Sequence, residues 1–403
     1  MSKRIYLDHA AATPLDPKVL EVMQPFLSGA YGNPSGIHQE GVLARKAIEG
    51  AREVIAKILD GHADEIIFTG SATESANLAL VGSVRAWQEA HPGKKPHIIV
   101  SAIEHDAVFE PVSVLERAGV RVTRIGVNSE GIINLGELKD ALTMETVLVS
   151  VMYANNEIGT IQPIEEIAKI IRKWKKEYRG VVRTEKAEGD ARYPLFHTDA
   201  CQAANYCALR IPKLGVDLMT LNAAKVYGPK GIGLLYALRE VPLLPMIVGG
   251  HQERGLRAGT ENVSGIIGFA RALHLAQAVR EEESLRLSAI RDAGFALLEK
   301  ITPHIVINGG KPLRLPNNIN FSIRGVDHEF LALALDAQGF AVATKSACNE
   351  LDAETSHVLE ALGGENKSGI RLSLGRNTTL ANIEHFIEVL KNILATMIFR
   401  DAV

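Results

Sequence analysis

The sequence predicts an α/β protein with a largely parallel sheet, because short apolar runs alternate with helical patterns and turns along most of the chain. Strands that are apolar throughout and separated by crossovers are typical of parallel sheets whose two faces are covered. The runs between residues 65 and 238 are "EIIFTG", "HIIVS", "RVTRIGV", "TVLVSVMY", "LFHTDA", "DLMTLNAA" and "GIGLLYAL". The pattern changes after residue 265, and we expect a smaller α+β unit there.

Helix signals flank these strands and continue into the second half of the chain. Asp16 stands at a favourable N-cap position, and Pro17 stands at the first helical position. Segment 41–59 carries a helical apolar stripe, and segment 279–301 predicts a long amphipathic helix. Further strands are expected near "HIVING", "NNINFSI" and "FAVAT", followed by two more helices.

The composition excludes several classes of function. The chain has 403 residues, a formal net charge of −3 and 23% charged residues, which argues against a general nucleic-acid or membrane-surface binder. Its length predicts two domains of unequal size, and no apolar run is long enough to predict a membrane-spanning helix. The first residues lack the pattern of a secretory signal, and three cysteines do not make a disulfide framework. We therefore expect a protein of the reducing cytoplasm.

Residues 172–194 stand out because they are dense in charge and rich in lysine and arginine. A charge run of this kind is usually a solvated helix end followed by a loop. A docking surface for an acidic partner is the alternative, and the sequence leaves both interpretations open.

Cys348 lies in a polar segment between an apolar strand pattern and an amphipathic helix pattern. Its charged and polar neighbours cannot bury it in a core. Reactive thiols occur in partly exposed settings, whereas unreactive surface thiols are usually avoided. We therefore treat Cys348 as a candidate nucleophile, and we interpret Cys201 and Cys207 as packing residues.

Asp199 and Lys225 end two successive strand patterns. A lysine ammonium at the apolar mouth of a sheet is costly unless its charge is removed or the amine is bonded covalently. A lysine that forms a Schiff base meets this condition, and an aspartate nearby can pair with a protonated pyridine nitrogen. A plain salt bridge between the two residues is the alternative.

Other segments suit an anionic group of the ligand. In "IIFTGSATESANLAL" small and hydroxyl residues precede a helix, whose free amides and dipole favour a phosphate. A simple capping box at Thr73 is the alternative. The loop "GGHQERGLRAGTENV" places Arg254, Arg257 and Thr260 among glycines, which also suits a phosphate.

Polar side chains that suit a substrate lie on or directly after three of the strand patterns. His105 follows one strand pattern, although a lone histidine is more often structural. Asn155 and Asn156 follow another strand and could donate to a carboxylate or a ring hydroxyl. Arg371 lies on a strand of the smaller unit, where its guanidinium could bind a substrate carboxylate.

The order of these motifs resembles that of the cysteine desulfurases of the NifS/IscS type, in the class V aminotransferase branch of the fold type I pyridoxal-phosphate enzymes. The segments that carry the resemblance are "YLDHAAATP", "YGNPSGIH", "FTGSATESANLA", "EHDAV", "ANNEIGTIQP", "HTDACQA", "KVYGPKGIG", "GGHQERGLRAGTEN", "SACNELDAETSHVLEALG" and "IRLSLGR". The resemblance implies pyridoxal 5'-phosphate, a homodimer and a mostly parallel seven-stranded sheet. It also implies a large cofactor-binding domain at 16–262, and a small domain at 1–15 and 263–403 that carries the catalytic cysteine loop.

The resemblance implies a role for each matching residue. Cys348 matches the persulfide-forming cysteine, Lys225 the Schiff-base lysine and His105 the acid–base histidine stacked on the ring. Arg371 and Asn156 match the substrate-binding residues. The matching cofactor-binding positions are Ala72 and Thr73 (phosphate), His105, Asn156, Asp199 (ring nitrogen), Gln202 (ring hydroxyl), Asn222, Lys225 and Thr260 (phosphate of the neighbouring subunit).

The resemblance implies a cysteine desulfurase, which converts L-cysteine to L-alanine and leaves a persulfide on Cys348. The sulfur acceptor would be a protein such as an iron–sulfur scaffold or a tRNA thiolation enzyme. Two alternatives remain open: a selenocysteine lyase or another class V enzyme, and a degenerate scaffold without catalysis. The second is suggested by Ala224, where the family has histidine, and by the acidic residues after Cys348. We expect no resident metal ion, no membrane contact and no direct contact with nucleic acid.

Overall fold

The structure, a computed structural model, describes residues 4–181, 192–344, 355–364 and 367–398. Its strands are β1 Ile5–Tyr6, β2 Ile66–Thr69, β3 His97–Ser101, β4 Arg121–Ile125, β5 Thr146–Ser150, β6 Leu195–Asp199, β7 Leu218–Asn222, β8 Gly233–Ala237, β9 Ile305–Ile307, β10 Asn318–Ile323, β11 Phe340–Ala341 and β12 Ile370–Ser373. Its α-helices are α1 Pro17–Leu27, α2 Gln39–Leu59, α3 Ala72–Asn77, α4 Ser83–Ala90, α5 Asp106–Arg117, α6 Leu135–Ala141, α7 Ile164–Val181, α8 Ile211–Leu214, α9 Val263–Ala278, α10 Arg280–Leu298, α11 His328–Ala337, α12 His357–Ala361 and α13 Leu380–Ile398.

A seven-stranded sheet in the order β2-β8-β7-β6-β5-β3-β4 forms the centre of the larger part of the molecule. Its strands are parallel except β8, which is antiparallel to both of its neighbours. Each apolar run predicted between residues 65 and 238 contains one of these strands, so the predicted α/β fold with a mostly parallel sheet is confirmed. The carboxyl ends of β2, β3, β5, β6 and β7 therefore meet at one edge of the sheet.

Amphipathic helices cover both faces of this sheet with their apolar sides, as its apolar strands require. Buried side chains of α1, α2, α7 and α9 pack on one face. Those of α5 and of the helical stretch from α3 to α4, which passes through a π-helical turn at Leu78–Gly82, pack on the other. Asp16 accepts a hydrogen bond from the Lys18 amide and Pro17 opens α1, which confirms the predicted helix start.

The smaller part contains an antiparallel sheet in the order β12-β10-β9 and a parallel pair of β1 and β11. The N-terminal Leu7 is buried in its core together with side chains of α10, β10, α11, β12 and α13. Sequence reasoning missed α11, whose N-cap signal is Asp327, and predicted the position of Arg371 on a strand correctly. The predicted domain boundaries stay a prediction.

Within the described residues, no helix is both long and apolar enough to cross a bilayer. Helix α7 covers the first part of the basic segment 172–194, and residues 182–191 of that segment lie outside the described residues.

Two buried histidines link strands of the large sheet through their side chains. The ring of His197 on β6 hydrogen-bonds Ser150 on β5 at 2.8 Å and Thr220 on β7 at 3.0 Å. The ring of His97 on β3 hydrogen-bonds Thr146 and Thr123, both at 2.9 Å. Burial lowers the pKa of each histidine to about 4, because a charged imidazole would lose its hydration.

These histidines predict an acid-sensitive fold. Because the unfolded chain takes up the protons first, the free energy of unfolding should fall as pH drops from about 6.5 to about 4. In His197→Asn this decrease should become smaller, as measured by chemical denaturation at several pH values. The matched control is His274→Asn, which changes an exposed histidine and should keep the wild-type dependence. An identical dependence in His197→Asn and wild type would contradict this assignment.

Candidate cofactor and substrate site

The predicted site residues converge at the carboxyl edge of the seven-stranded sheet. Ligands bind at this edge in open α/β sheets, because loops after neighbouring parallel strands meet there. The residues and the strands that they end or follow are Ala72 and Thr73 (β2), His105 (β3), Asn156 (β5), Asp199 and Gln202 (β6), and Asn222 and Lys225 (β7).

Lys225 ends a short 3-10 turn directly after β7. Its Nζ donates to the carbonyl oxygens of Ala10 and Ala11 at 2.8 and 2.6 Å. Gln202 Nε2 donates to the same Ala10 carbonyl at 3.0 Å, and Asn205 Nδ2 donates to the Lys225 carbonyl at 2.6 Å. The N-terminal segment therefore lies directly against the lysine amine.

Asp199 is the last residue of β6 and is buried. The backbone of Asp199 pairs with that of Thr220 on the neighbouring strand β7. The Asp199 carboxylate and the turn that carries Lys225 therefore lie at the ends of adjacent strands. Asp199 Oδ1 accepts a hydrogen bond from the Cys201 amide at 2.9 Å, which fixes the orientation of the carboxylate. Burial raises the pKa of Cys201, and raises the pKa of Cys207 to about 12, as expected of packing residues.

The start of α3 forms a turn of backbone amides beside β2. The N-cap is Ser71, whose Oγ accepts from the Glu74 amide at 3.1 Å, so the alternative of a capping box at Thr73 is wrong. The Glu74 carboxylate accepts from the Gly70 amide at 2.8 Å and pairs with Arg257 at 2.8 Å, which neutralises its charge. A Cβ at Gly233 would lie 2.5 Å from the Ser71 carbonyl carbon, so only glycine permits this close packing.

The glycine-rich loop after β8 returns to the same turn. Thr260 and Gly70 line one cavity of about 140 Å³. A buried ion pair that sequence reasoning missed holds this loop, because Glu253 contacts Arg52 at 2.8 Å and accepts from the Phe68 amide at 2.8 Å. Arg254 bonds the Ile66 carbonyl and Arg257 bonds Glu74, so both arginines predicted to suit a phosphate have protein partners.

His105 caps α5, since its Nδ1 accepts a hydrogen bond from the Ala107 amide at 3.0 Å. The adjacent Glu104 is completely buried, and its Oε1 accepts from Ser101 Oγ and from the Met152 amide. Its Oε2 has no hydrogen-bond partner among the described residues. Burial raises the pKa of Glu104 to about 8, because an ionised carboxylate there would lose its hydration. Sequence reasoning gave Glu104 no role.

The two predicted amides have different positions. Asn155 is a turn residue, because its Oδ1 accepts from the amides of Glu157 and Ile158 and its Nδ2 donates to Ile103 O. The carbonyl of Asn156 accepts from Arg371 Nη1 at 3.1 Å. The turn at Asn155 and Asn156 thus brings the backbone carbonyl of Asn156 into contact with Arg371, the predicted substrate-binding arginine.

Arg371 on β12 is 2% exposed and lies beside this turn. Its Nη2 donates to Asp8 Oδ1 at 2.7 Å, and its Nε has no hydrogen-bond partner among the described residues. The guanidinium therefore retains donor capacity for an anionic ligand. Sequence reasoning gave Asp8 no role, although the motif "YLDHAAATP" contains it.

Cys348 lies outside the described residues, but the chain that leads to it is anchored at the site. Ala343 pairs with Arg371, with the Ala343 amide 3.1 Å from the Arg371 carbonyl and the Arg371 amide 2.6 Å from the Ala343 carbonyl. Thr344 is the last described residue before Cys348.

The family model for class-V aminotransferases matches residues 5–386. This chain belongs to the class-V aminotransferase family. A protein named cysteine desulfurase IscS from Dictyoglomus turgidum is 43% identical over 397 residues, covering 98% of this chain and 95% of the relative. The resemblance to the desulfurases of the NifS/IscS type is therefore confirmed.

Two solved structures support the same assignment to this family. One, titled NifS-like protein, has a TM-score of 0.87 and 35% identity, and the match covers 98% of this chain and all of that one. The other, titled SspA in complex with cysteine, has a TM-score of 0.75 and 32% identity, and covers 92% of this chain and 98% of the other.

Pyridoxal phosphate is the cofactor of this family, as the resemblance predicted. The site fits it on three observations: an amine and a buried carboxylate at adjacent strand ends, a turn of amides at the start of α3, and a glycine whose Cβ would close the space beside that turn. The amine suits the aldehyde of the cofactor, and the carboxylate suits its ring nitrogen. The turn of amides and the space beside the glycine suit its phosphate.

The raised pKa of Glu104 predicts how stability depends on pH in the cofactor-free protein. Because the folded state holds this proton more tightly than the unfolded state, the free energy of unfolding should decrease as pH rises from about 4.5 to about 8. Glu104→Gln keeps an acceptor for Ser101 and Met152 but cannot titrate. Chemical denaturation should therefore show the variant gaining stability over wild type as pH rises.

The matched control is Glu89→Gln, which changes an exposed carboxylate and should leave this dependence unaltered. A constant stability difference between Glu104→Gln and wild type from pH 5 to pH 8 would show that Glu104 is already ionised in the folded protein.

Proposed function

We propose that this chain is a pyridoxal-phosphate-dependent cysteine desulfurase, which takes the sulfur of L-cysteine onto Cys348 and releases L-alanine. One observation carries the proposal: the Lys225 amine, the Asp199 carboxylate and the Arg371 guanidinium lie around the same sheet edge. An amine for the cofactor, a partner for its ring nitrogen and a cation for an amino-acid carboxylate are the groups that this reaction needs. The relatives named cysteine desulfurase support the choice of substrate.

Each residue of the site would hold one part of the cofactor. When bound, pyridoxal phosphate supplies an electron sink conjugated to the substrate α-carbon. Lys225 would hold its aldehyde carbon covalently, and Asp199 would keep its ring nitrogen protonated. The remaining proposed contacts are Ala72 and Thr73 for the phosphate, Gln202 for the ring hydroxyl, His105 and Asn156 for the ring, Asn222 for the phosphate, and Thr260 for the phosphate of the neighbouring subunit.

The chain's own groups then act on the substrate. Arg371 binds the α-carboxylate and fixes the amino acid at the sheet edge. The Lys225 amine moves a proton at the α-carbon, and His105 is a second acid–base group within the same site. The Cys348 thiolate attacks the substrate sulfur: a sulfur–sulfur bond forms, the carbon–sulfur bond breaks, and the carbon keeps the electron pair and gains a proton. The products are L-alanine and a persulfide on Cys348.

The assembly and the acceptor complete the proposal. We place the large domain at 16–262 and the small domain at 1–15 and 263–403, and we propose a homodimer in a reducing, cytoplasmic compartment. A subunit contact would cover exposed apolar side chains such as Ile37, Tyr31 and Val248, which are 95%, 81% and 79% exposed. The persulfide sulfur would pass to an acceptor protein, such as an iron–sulfur scaffold or a thiolation enzyme.

The test is Cys348→Ala. The variant should lose release of L-alanine from L-cysteine under reducing conditions, because no thiolate attacks the substrate sulfur, and it should keep the visible absorbance of the bound cofactor. Cys207→Ala is the matched control and should keep full activity, since Cys207 is a packing residue. Wild-type rates in Cys348→Ala, or no L-alanine from wild type, would contradict the proposed function.

A further inference from the structure

The ion pair between Asp8 and Arg371 joins residues at opposite ends of the chain. Arg371 Nη2 lies 2.7 Å from Asp8 Oδ1, and the two side chains are only 2% and 19% exposed. A guanidinium this deeply buried needs acceptors, and Asp8 and the Asn156 carbonyl supply two. The buried Nε without a hydrogen-bond partner, among the described residues, indicates that a further acceptor belongs at this cation.

Backbone pairing on both sides determines where Asp8 lies. The Leu7 amide donates to Ala341 O at 2.9 Å, and the Leu7 carbonyl accepts from the Ser373 amide at 2.7 Å. Asp8 itself pairs with Ser373, two residues from Arg371. Ser373 Oγ also accepts from the Ala10 amide at 2.8 Å. Residues 7 and 8 thus bond to Ala341 on one side and to Ser373 on the other, and this position brings the Asp8 carboxylate to the guanidinium.

This arrangement changes the charge of the proposed carboxylate site. A lone arginine would attract any anion, and a substrate with two carboxylates most strongly. Asp8 balances the charge of the guanidinium and accepts from one of its N–H groups, which leaves donors for one substrate carboxylate but no net positive charge for a second. A second carboxylate on the same small amino acid would lie within several ångströms of Asp8 and be repelled by it.

We propose that Asp8 is a positioning and specificity-determining residue, which fixes Arg371 and restricts the site to amino acids that carry one carboxylate and no second anionic group. The inference rests on the proposed function only in taking Arg371 as the substrate carboxylate site. It extends that function by assigning a residue that selects against substrates with an anionic side chain.

The test compares two ligands that differ in one carboxylate. L-alanine and L-aspartate are titrated into the holoenzyme by calorimetry, and the ratio of their dissociation constants is measured. In Asp8→Asn the L-aspartate to L-alanine ratio should fall about tenfold, the order of magnitude of one unit charge at a partly buried site. L-alanine should bind the variant no more tightly than wild type, because Asp8 orients the guanidinium and does not block it.

The chain provides a matched control in Asp16→Asn. Asp16 also lies in the N-terminal region and pairs with an arginine of the smaller part, since it is 2.7 Å from Arg376 Nη1. Asparagine preserves its N-cap of α1. This control loses the same charge and should keep the wild-type ratio. If Asp8→Asn does not fold by circular dichroism, Asp8→Ser removes the charge with a smaller side chain and should lower the ratio equally.

Three results would overturn the inference: an unchanged ratio in both Asp8 variants, an equal fall in Asp16→Asn, or tighter binding of both ligands by one common factor. Tighter binding of both ligands by one factor would mean that Asp8 only competes with the ligand carboxylate for Arg371 and does not select between ligands. These outcomes are separate from the proposed function. Wild type that releases no L-alanine from L-cysteine contradicts that function even where the ratio shifts, whereas active wild type with an unchanged ratio contradicts only the role of Asp8.

Discussion

The contact between the N-terminal segment and the carboxyl edge of the large sheet is the constraint on which the site depends. Residues 8–13 carry the Asp8 carboxylate to Arg371 and the carbonyls of Ala10 and Ala11 to Lys225. Both side chains are thereby held by one stretch of chain. Thr13 continues the contact, because its Oγ1 donates to Ala224 O and accepts from the Tyr227 amide. A shift of this segment would displace the amine and the guanidinium together.

The turn after β5 makes a second connection between the large sheet and the smaller part. Three successive carbonyls accept from side chains of that part: the partner of Asn156 is Arg371, those of Glu157 are Asn318 and Asn320, and that of Ile158 is Arg314. Burial lowers the pKa of Arg314 to about 9, and the positive charge of Arg291 lowers it further. The hydrogen-bond acceptors of Arg314 are the backbone carbonyls of Ile158 and Asn308. These donors fix the turn against β10 and β12, and so fix the backbone acceptor that faces Arg371.

The sequence predicts those features of the fold and site that depend on local pattern. All-apolar runs predict β2–β8 because a strand covered on both faces has few polar positions, and the rule that ligands bind at strand ends then places Asp199, Lys225 and His105 together. The pair of Asp8 and Arg371 could not be predicted, because it depends on pairing between residues 363 apart. The alternative of a capping box at Thr73 is wrong because Ser71 and Thr73 both suit a cap, and only the backbone path decides between them. Cys348 remains a prediction from sequence alone.

The attachment point of the cofactor tests the account most directly. Borohydride reduction of the holoenzyme makes the carbon–nitrogen bond between the cofactor and its lysine permanent, and mass spectrometry of the digested protein locates the added mass. The added mass should lie on the peptide that contains Lys225. Attachment at Lys230, five residues further along the chain, or at any other lysine, would contradict it.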